Sequence, residues 1–463
     1  MFYEWADHQL FGAGDGALLF GVDQGSLFAI DGATRDTLTR WRDRPALDLE
    51  NVLSDDRDIL EGLRDIRMLV PVGTPHRLPA VLPDIASVPL TTMVLEVAQE
   101  CNLRCTYCYA DGGGYGQPAR LMDEDTVRTA VRLLFNGSGI RETVTLVLFG
   151  GEPLLNMTAV RTAVAEAEAA AGETGKKVVI SLTTNGTLLD REIIDFIHNH
   201  KIAVALSLDG PVDLHDTNRP FAGGNGSYAG IVARLKPLLA GATAPVAARV
   251  TLTPDQWHRV EEVFFHLLQL GCHEVGIAPA SPVRQDLLPD RNQEEALFRG
   301  FAALASAFVV AANTGRILPF SNMVELLGRL HRGETKAISC GAGYGYLAVD
   351  AGGSFYICHR LSGEESFHVG DIASGADAVR IRSALEAVTC GRGELCNRCW
   401  ARTLCAGGCH YENHLRENRL EQSPGGSCDF IRTWFRTGME VYAELRRSGA
   451  DAIIERVGKR PAC

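Results

Sequence analysis

Cysteines are the residues in this chain whose spacing could do chemistry. Ten of its thirteen fall into two groups. The first is Cys101-Asn-Leu-Arg-Cys105-Thr-Tyr-Cys108, directly after the apolar run Thr91-Thr-Met-Val-Leu-Glu-Val97. Three thiolates on a tight loop can hold three irons of a [4Fe–4S] cube and leave the fourth open, and an open metal position is a place for chemistry. The second group lies in the C-terminal third: Cys340, Cys358, Cys396, Cys399, Cys405, Cys409 and Cys428. These seven can close one four-thiolate cluster and leave three ligands for another. A zinc ribbon is the rival reading of Cys396 to Cys409 alone; four ligands would satisfy that ion and leave three cysteines without a role.

The elements that must position these residues follow from periodicity. From about 90 to 280, short β-rich runs alternate with helical runs. Strands are predicted at 92–97, 144–149, 177–183, 202–208, 246–252 and 273–278, and helices at about 123–136, 157–172, 188–199, 227–240 and 256–270. Six βα units predict a parallel sheet, either a partial barrel or an open sheet, with its chemistry at the carboxyl ends of the strands. Residues 1 to about 72 form a separate small unit. Ala17–Val22 and Ser26–Ile30 flank a turn at Asp23-Gln-Gly25 and read as a hairpin. Helical stretches follow at about 33–43 and 55–67, with Ser54 as N-cap, and Met68–Val72 reads as a returning strand. Prolines 71, 75, 79, 83 and 89 mark a linker, taken as 73–89. After a helical bridge at about 293–330 the second cysteine group reads as loops plus one hairpin, Leu347–Ile357, and helices run from about 429 to 457.

Bulk composition narrows the classes. The formal charge of −12 argues against a phosphate-backbone partner, which needs a basic face. No apolar stretch is expected to reach the roughly 18 residues of a membrane span. Met1-Phe-Tyr-Glu-Trp-Ala-Asp-His8 has neither a basic nor an apolar signal region, so the expectation is a cytoplasmic protein with no membrane and no nucleic-acid partner. Thirteen cysteines in a reducing compartment point to metal ligation rather than disulfides.

The triplet Cys101-x3-Cys105-x2-Cys108, with Tyr107 before the last cysteine, resembles the signature of the radical S-adenosylmethionine (SAM) superfamily. The resemblance implies that the open iron chelates the amino and carboxylate groups of SAM, and that one electron releases a 5′-deoxyadenosyl radical. Further pieces resemble that family's cofactor surfaces at the ends of later strands. They are Phe149-Gly150-Gly151-Glu152-Pro153, Thr183-Thr184-Asn185-Gly186, Ser207-Leu-Asp209-Gly210 and Arg219. The implied cofactor-binding residues are therefore Tyr107, Gly150, Gly151, Glu152, Thr184, Asn185, Ser207, Asp209 and Arg219. Each of these turns by itself is also an ordinary βα turn rich in Gly, Asn and Asp.

The second cysteine group resembles the SPASM extension of peptide- and protein-modifying radical enzymes, which carries two auxiliary [4Fe–4S] clusters. By that resemblance Cys396, Cys399, Cys405 and Cys428 close one cluster, and Cys340, Cys358 and Cys409 hold the other. Cys390 is the nearest thiol for its fourth ligand, with a free buried cysteine as the equal alternative; an open iron there could instead bind a substrate thiolate. His359 and His410 stand next to ligands and either tune a cluster or pack in the core. Cys272 reads as core, Cys463 as a surface thiol, and Gly112–Gly116 as a flexible flap carrying Tyr115.

The whole pattern looks most like maturases of ribosomally made peptides that install thioether crosslinks. That resemblance implies the fold class: α/β, a partial (β/α)6 TIM-like barrel over 90–285, a helical bridge over 286–335, a SPASM iron–sulfur domain over 336–430 and C-terminal helices over 431–463. It makes 1–72 a small winged-helix-like domain that grips a leader peptide. The implied cofactors are three [4Fe–4S] clusters and SAM. The implied partners are a precursor peptide with a leader and an electron donor such as flavodoxin or ferredoxin. Other maturase chemistries (a carbon–carbon crosslink, or sulfatase-type oxidation of Cys or Ser) and a non-catalytic iron–sulfur carrier are the alternatives. A carrier needs no pocket for a sulfonium ligand, so Glu152 and Arg219 argue against it.

Overall fold

A computed structural model describes residues 1–13, 16–52, 54–75, 84–389, 393–417 and 425–459. Cys390, Cys463 and prolines 79 and 83 of the expected linker lie outside them.

The N-terminal unit is richer in strands than its sequence suggests. Strands β1 (Phe2–Trp5), β2 (His8–Ala13), β3 (Gly16–Gly21), β4 (Ser26–Ile30), β5 (Leu47–Asp48) and β6 (Leu69–Pro71) form two antiparallel sheets, ordered β5-β1-β6 and β2-β3-β4. The β3–β4 hairpin and β6 match expectation. Strands β1, β2 and β5 do not, because β5 is two residues long and pairs with β1 across more than forty residues of chain. Helices α1 (Gly32–Trp41) and α2 (Ser54–Asp65) pack on the sheets through Leu19, Leu38, Leu60 and Met68, all out of contact with water. Asp56 ties the two helices together. Its carboxylate accepts hydrogen bonds from Trp41 Nε1 (2.7 Å), Arg40 and Thr37, and these donors, Trp41 first, hold it below the usual carboxylate range.

Six parallel strands follow in spatial sequence: β7 (Thr92–Ala98), β8 (Thr143–Gly150), β9 (Lys177–Thr184), β10 (Ala203–Ser207), β11 (Val246–Leu252) and β12 (Glu274–Pro279). They lie where the periodicity predicts, and β12 ends the sheet, so the barrel stays partial. Helices α3 (Glu124–Gly137), α4 (Met157–Thr174), α5 (Arg191–Asn199), α6 (Val212–Asn218), α7 (Tyr228–Ala240) and α8 (Val260–Gln269) cover its outer face. The predicted helix from 256 begins later, because Pro254 opens a 3-10 segment over Pro254–Arg259 first. Cys272 is core, as expected, at 3% exposure.

The bridge is made of α9 (Arg291–Asn313) and α10 (Ser321–His331). Contrary to the sequence expectation, α9 is long and apolar enough to cross a membrane by length and composition. Its apolar residues recur at helical spacing rather than in one run. Leu297, Phe301, Leu304 and Phe308 are buried, and Phe301 packs edge-on against Phe320, Phe430 and Trp434.

The largest departure concerns the second cysteine group. Strands β13 (Tyr346–Val349), β14 (Ser354–Tyr356), β15 (His368–Asp371) and β16 (Gly375–Ala376) do not form an isolated hairpin. Strand β13 pairs in parallel with β7, Thr92 opposite Tyr346 and Leu95 opposite Val349, and extends the barrel into one ten-stranded sheet. Both edges of β7 are thereby hydrogen-bonded, and no edge is left beside the first cysteine loop. Short helices α11 (Ala378–Thr389), α12 (Gly393–Asn397), α13 (Arg402–Cys405) and α14 (His410–Glu417) follow, with Cys396 in α12 and Cys405 in α13. Helices α15 (Gly425–Arg447), which carries Cys428, and α16 (Asp451–Gly458) come last.

The N-terminal unit docks on this region. Phe11, Leu18, Phe20 and Val22 share a core with Leu326, Leu330, Ala401, Leu404, Phe435 and Met439, and Trp400 meets Phe11 edge-on at 4.9 Å. The Arg402 side chain, 9% exposed, pairs with Asp23 at 2.7 Å and with Asp7. Replacing a half-buried charged hydrogen-bond donor costs about 1–3 kcal/mol. Arg402→Gln is therefore expected to loosen this contact without unfolding the barrel. Hydrogen exchange would register it as faster exchange over residues 16–30 with unchanged protection in β7–β12.

Candidate active site

The first cysteine loop leaves the carboxyl end of β7 and is pinned from two sides. Arg104 and Thr106 backbone amides donate to Pro220 and Asn218 carbonyls (2.8 and 2.9 Å), and Asn102 Nδ2 donates to Thr187 Oγ1 (2.8 Å). The loop brings Cys101 close enough to feel Cys108, and Cys105 close enough to feel both Cys108 and Cys101. Donors already point at two of them. Cys101 Sγ accepts from the Leu103 amide (3.4 Å) and Asn185 Nδ2 (3.7 Å), and Cys105 Sγ from Arg219 Nη1 (3.8 Å). Burial nonetheless pushes the Cys105 thiol up to about 12, so ligation would have to displace its proton.

Glu152 has no contact with water and sits beside this loop. Its carboxylate accepts from Thr184 Oγ1 (2.7 Å), the Asn185 amide (2.7 Å) and the Leu154 amide (3.0 Å). Burial outweighs those donors and lifts it to about 7. The glycines before it, Gly150 and Gly151, leave no room for a side chain beside the backbone of the cysteine loop. A Cβ on Gly150 would lie 2.3 Å from the Ala98 carbonyl oxygen, and one on Gly151 2.3 Å from that of Glu100. The flap folds onto the same place, since a Cβ on Gly113 would lie 2.5 Å from Gly151.

A second network forms at the ends of β10 and β11. Asp209 is fully buried and accepts from Tyr107 Oη, Arg219 Nε (2.8 Å) and the Thr251 amide (3.0 Å). The Arg219 guanidinium lies 5.3 Å from the Tyr107 ring centre. Arg219 and Tyr107 are thus held by Asp209, and Thr184 and Asn185 are held by Glu152 and the first cysteine. Ser207 ends β10, half-buried. Sequence reasoning assigned no role to His215, which supports this network. The Asp209 amide must donate to His215 Nδ1 (3.2 Å), so the proton sits on Nε2, facing Ser227 Oγ (3.0 Å). Burial pushes His215 down to about 4 and keeps that neutral form. Asn102 could have been found from its place inside the cysteine loop; Asn218, bonded to Gln256 at 2.6 Å, had no sequence signal.

Of the later cysteines, Cys358 lies near enough to feel Cys409 and Cys340, Cys409 to feel Cys340, and Cys405 to feel Cys428, Cys396 and Cys399. Burial pushes Cys358 up to about 12, and its Sγ accepts from the Arg360 amide (3.4 Å). Arg360, also unassigned from sequence, reaches Cys409 Sγ at 3.5 Å and Ser281 after β12, and stacks on Tyr109 and Tyr411. Among the described residues no three His, Cys, Asp or Glu side chains converge on a single ion. A cube takes each thiolate on a different iron, so it asks for neighbouring sulfurs rather than a common point. His359 packs on Phe149 (4.6 Å) and bonds Tyr346 Oη, inside the barrel, where burial pushes it down to about 3. His410 is buried, at 1% exposure.

Residues 95–265, from the third residue past the start of β7 into α8, match the family model described as the Radical SAM superfamily. The chain carries a radical SAM domain. A domain of this family implies a [4Fe–4S] cluster and SAM, and the thiol triplet with its aimed donors suits the first. The radical SAM region is 30% identical over 135 residues to the cysteine-type anaerobic sulfatase-maturating enzyme of Clostridium perfringens. That alignment takes in 28% of this chain and 36% of the relative's length. Two solved structures share the fold more widely. Native anSMEcpe with bound AdoMet and the Cp18Cys peptide covers 78% of this chain and 99% of its own at TM-score 0.64 and 18% identity. Streptococcus suis SuiB bound to precursor peptide SuiA covers 92% of this chain and 100% of its own at TM-score 0.51 and 14% identity.

Glu152 makes a pH prediction. Its folded carboxyl titrates near 7, above the ordinary 4.5, so the folded state binds more protons than the unfolded one between those values. The stability it contributes is complete below about pH 4.5 and is lost as pH rises through 7. The melting midpoint without SAM should therefore fall from pH 5 to 8 more steeply in the native protein than in Glu152→Gln. Equal slopes would mean the carboxyl is not held this way.

Proposed function

We propose that the chain is a radical SAM enzyme that modifies a ribosomally made precursor peptide and installs a crosslink, most specifically a thioether. The observation that carries this reading is the placement of two further thiol groups beside the barrel that holds the first. Cys101, Cys105 and Cys108 would hold the SAM-binding cluster. Cys340, Cys358 and Cys409 would hold one auxiliary cluster, and Cys396, Cys399, Cys405 and Cys428 the other. When bound, cluster and SAM together supply a one-electron cleavage that yields a radical able to take hydrogen from an unactivated carbon.

The chain's own residues do the rest. Glu152, fixed by Thr184 and Asn185, offers a carboxyl for the amino group of SAM. Arg219, half-neutralised by Asp209, offers a guanidinium edge for its carboxylate. Tyr107 and the flap around Gly113 close over the loop and keep water from the reacting centre. Arg360 lays a fixed cation between Cys409 and the end of β12, which favours extra negative charge on the auxiliary group nearest the barrel. Residues 1–72 would take the leader, by adding a peptide strand to a sheet edge. The fold likeness to SuiB over 92% of the chain, against 78% for anSMEcpe, supports that part of the reading. A cysteine-type sulfatase maturase is the second reading, favoured by the identity over the radical SAM region. An electron donor such as flavodoxin or ferredoxin belongs to either.

Two measurements test this. Anaerobically reconstituted enzyme should hold about twelve irons per chain, and Cys101→Ala/Cys105→Ala/Cys108→Ala about eight, with 5′-deoxyadenosine formation abolished. Four irons in the native enzyme would remove the auxiliary clusters. With a cysteine-containing peptide encoded beside the gene, mass spectrometry should find a product lighter by about two hydrogens. Conversion of a single cysteine to an aldehyde in a sulfatase-derived peptide would favour the second reading.

A further inference from the structure

Glu96 lies on β7, five residues before Cys101, and has no exposed surface. Met93, Leu95 and Val97 pack with Val127, Val131 and Leu134 of α3, so the alternation of the strand turns Glu96 to the opposite side, the barrel interior. There it accepts one hydrogen bond, from Ser362 Oγ (2.5 Å), and its other oxygen is buried with no partner. Among the described residues the charged and titratable groups around it are Asp350, Tyr109, Tyr115 and Tyr356, none of them a cation. Burial first, with Asp350 adding to it, holds the carboxyl well above the usual carboxylate range, so it keeps its proton while the site is empty. Gln99, three residues on, repeats the pattern: Oε1 accepts from the Ala351 amide (3.2 Å) and Nε2 is buried without a partner. Natural proteins rarely leave such atoms unmade, because desolvation without a replacement bond is costly.

The surroundings are aromatic. Tyr109 meets Tyr115 (6.1 Å), Tyr411 (5.7 Å) and His359 (6.3 Å). These faces already attract a cation, since the Arg360 guanidinium lies 4.9 Å from the Tyr109 ring centre and 4.4 Å from that of Tyr411. That charge is answered by Glu412 (3.8 Å), and its guanidinium also donates to Cys409 Sγ (3.5 Å). Tyr115 is the outer wall of this cluster. It sits in the flap at φ +52, in the left-handed region a side chain avoids, between Gly112, Gly113 and Gly116, which also have positive φ. Such backbone persists only where the surrounding structure fixes it, and it clusters at active sites and ligand clamps.

We propose that Glu96, among the Tyr109 and Tyr115 rings, is the binding point for an alkyl cation of the substrate, an ammonium or guanidinium side chain, the carboxyl giving up its proton to solvent as it becomes the counter-ion. This rests on the reading of the chain as a radical SAM enzyme that modifies a peptide. It goes beyond that reading by naming a charge the peptide must carry near its reacting residue. The partner missing from Glu96 then arrives with the substrate, and a neutral peptide side chain leaves the acid unpaired and is rejected.

The test uses reconstituted enzyme with SAM and no reductant, and n-butylammonium chloride as probe against sodium chloride at equal ionic strength. Native enzyme and Ser362→Ala, which keeps the carboxyl, should each gain about 2 °C or more in melting midpoint, and Glu96→Gln less than half of that. n-Propylguanidinium in place of n-butylammonium separates an arginine-like from a lysine-like site by the larger gain. Equal gains in all three proteins would overturn the site. So would a fall in SAM affinity in Glu96→Gln, by equilibrium dialysis, which would place Glu96 against the cofactor. If Glu96→Gln does not fold, Glu96→Asp, with its carboxylate drawn back, should show a reduced gain. None of these readouts needs turnover, so deoxyadenosine formation and iron content still judge the enzyme reading separately.

Discussion

The structure depends on one strand being held from both sides. Strand β7 pairs with β8 on one edge and with β13 on the other, although more than two hundred residues separate β7 from β13. A strand hydrogen-bonded along both edges and buried on both faces has almost no freedom, and the cysteine loop that leaves it inherits that rigidity. The close approaches at Gly150 and Gly151 belong to the same constraint, because they let the end of β8 press against the carbonyls of Ala98 and Glu100. Joining β13 to this strand also brings the second cysteine region to the barrel, so that Ala351, Ser362 and Arg360 reach Gln99, Glu96 and Ser281.

The electrostatics of the site follow from removing acids and thiols from water with few cations to answer them. Glu152 is satisfied by neutral donors and titrates near 7; Asp209 is satisfied by one arginine and by Tyr107. Cys105 and Cys358 are pushed up to about 12 by burial, despite the nearby arginine in the first case and the Arg360 amide in the second. Sites of this kind are costly when empty and become favourable once a metal cluster or a cationic ligand supplies positive charge, so binding is coupled to proton release and to rigidity.

The N-terminal unit is not a free appendage. Its β2–β3 face covers Trp400, which sits between Cys399 and Arg402, and Arg402 itself is clamped by Asp7 and Asp23. A change in that unit is therefore felt by the chain segment that carries Cys396, Cys399 and Cys405, through aromatic packing and a pair of charges rather than through a long flexible tether.

Local chemistry was legible in the residues themselves. Cysteine spacing, the Gly-Gly-Glu and Thr-Asn-Gly turns and six alternating βα units are short-range patterns, and each falls at a strand end because the period of a strand and the needs of a turn are written within a few residues. What only the tertiary structure decided are the long-range pairings. Residues 346–349 give no sign that they extend the barrel sheet, the two-residue strand at Leu47 is visible only against β1, and α9 reads as apolar until α8 and α15 cover it. Glu96, His215 and Arg360 carry no motif of their own. Their roles come from which buried atoms meet them and which do not, and burial is a property of the packed chain, summed over segments hundreds of residues apart.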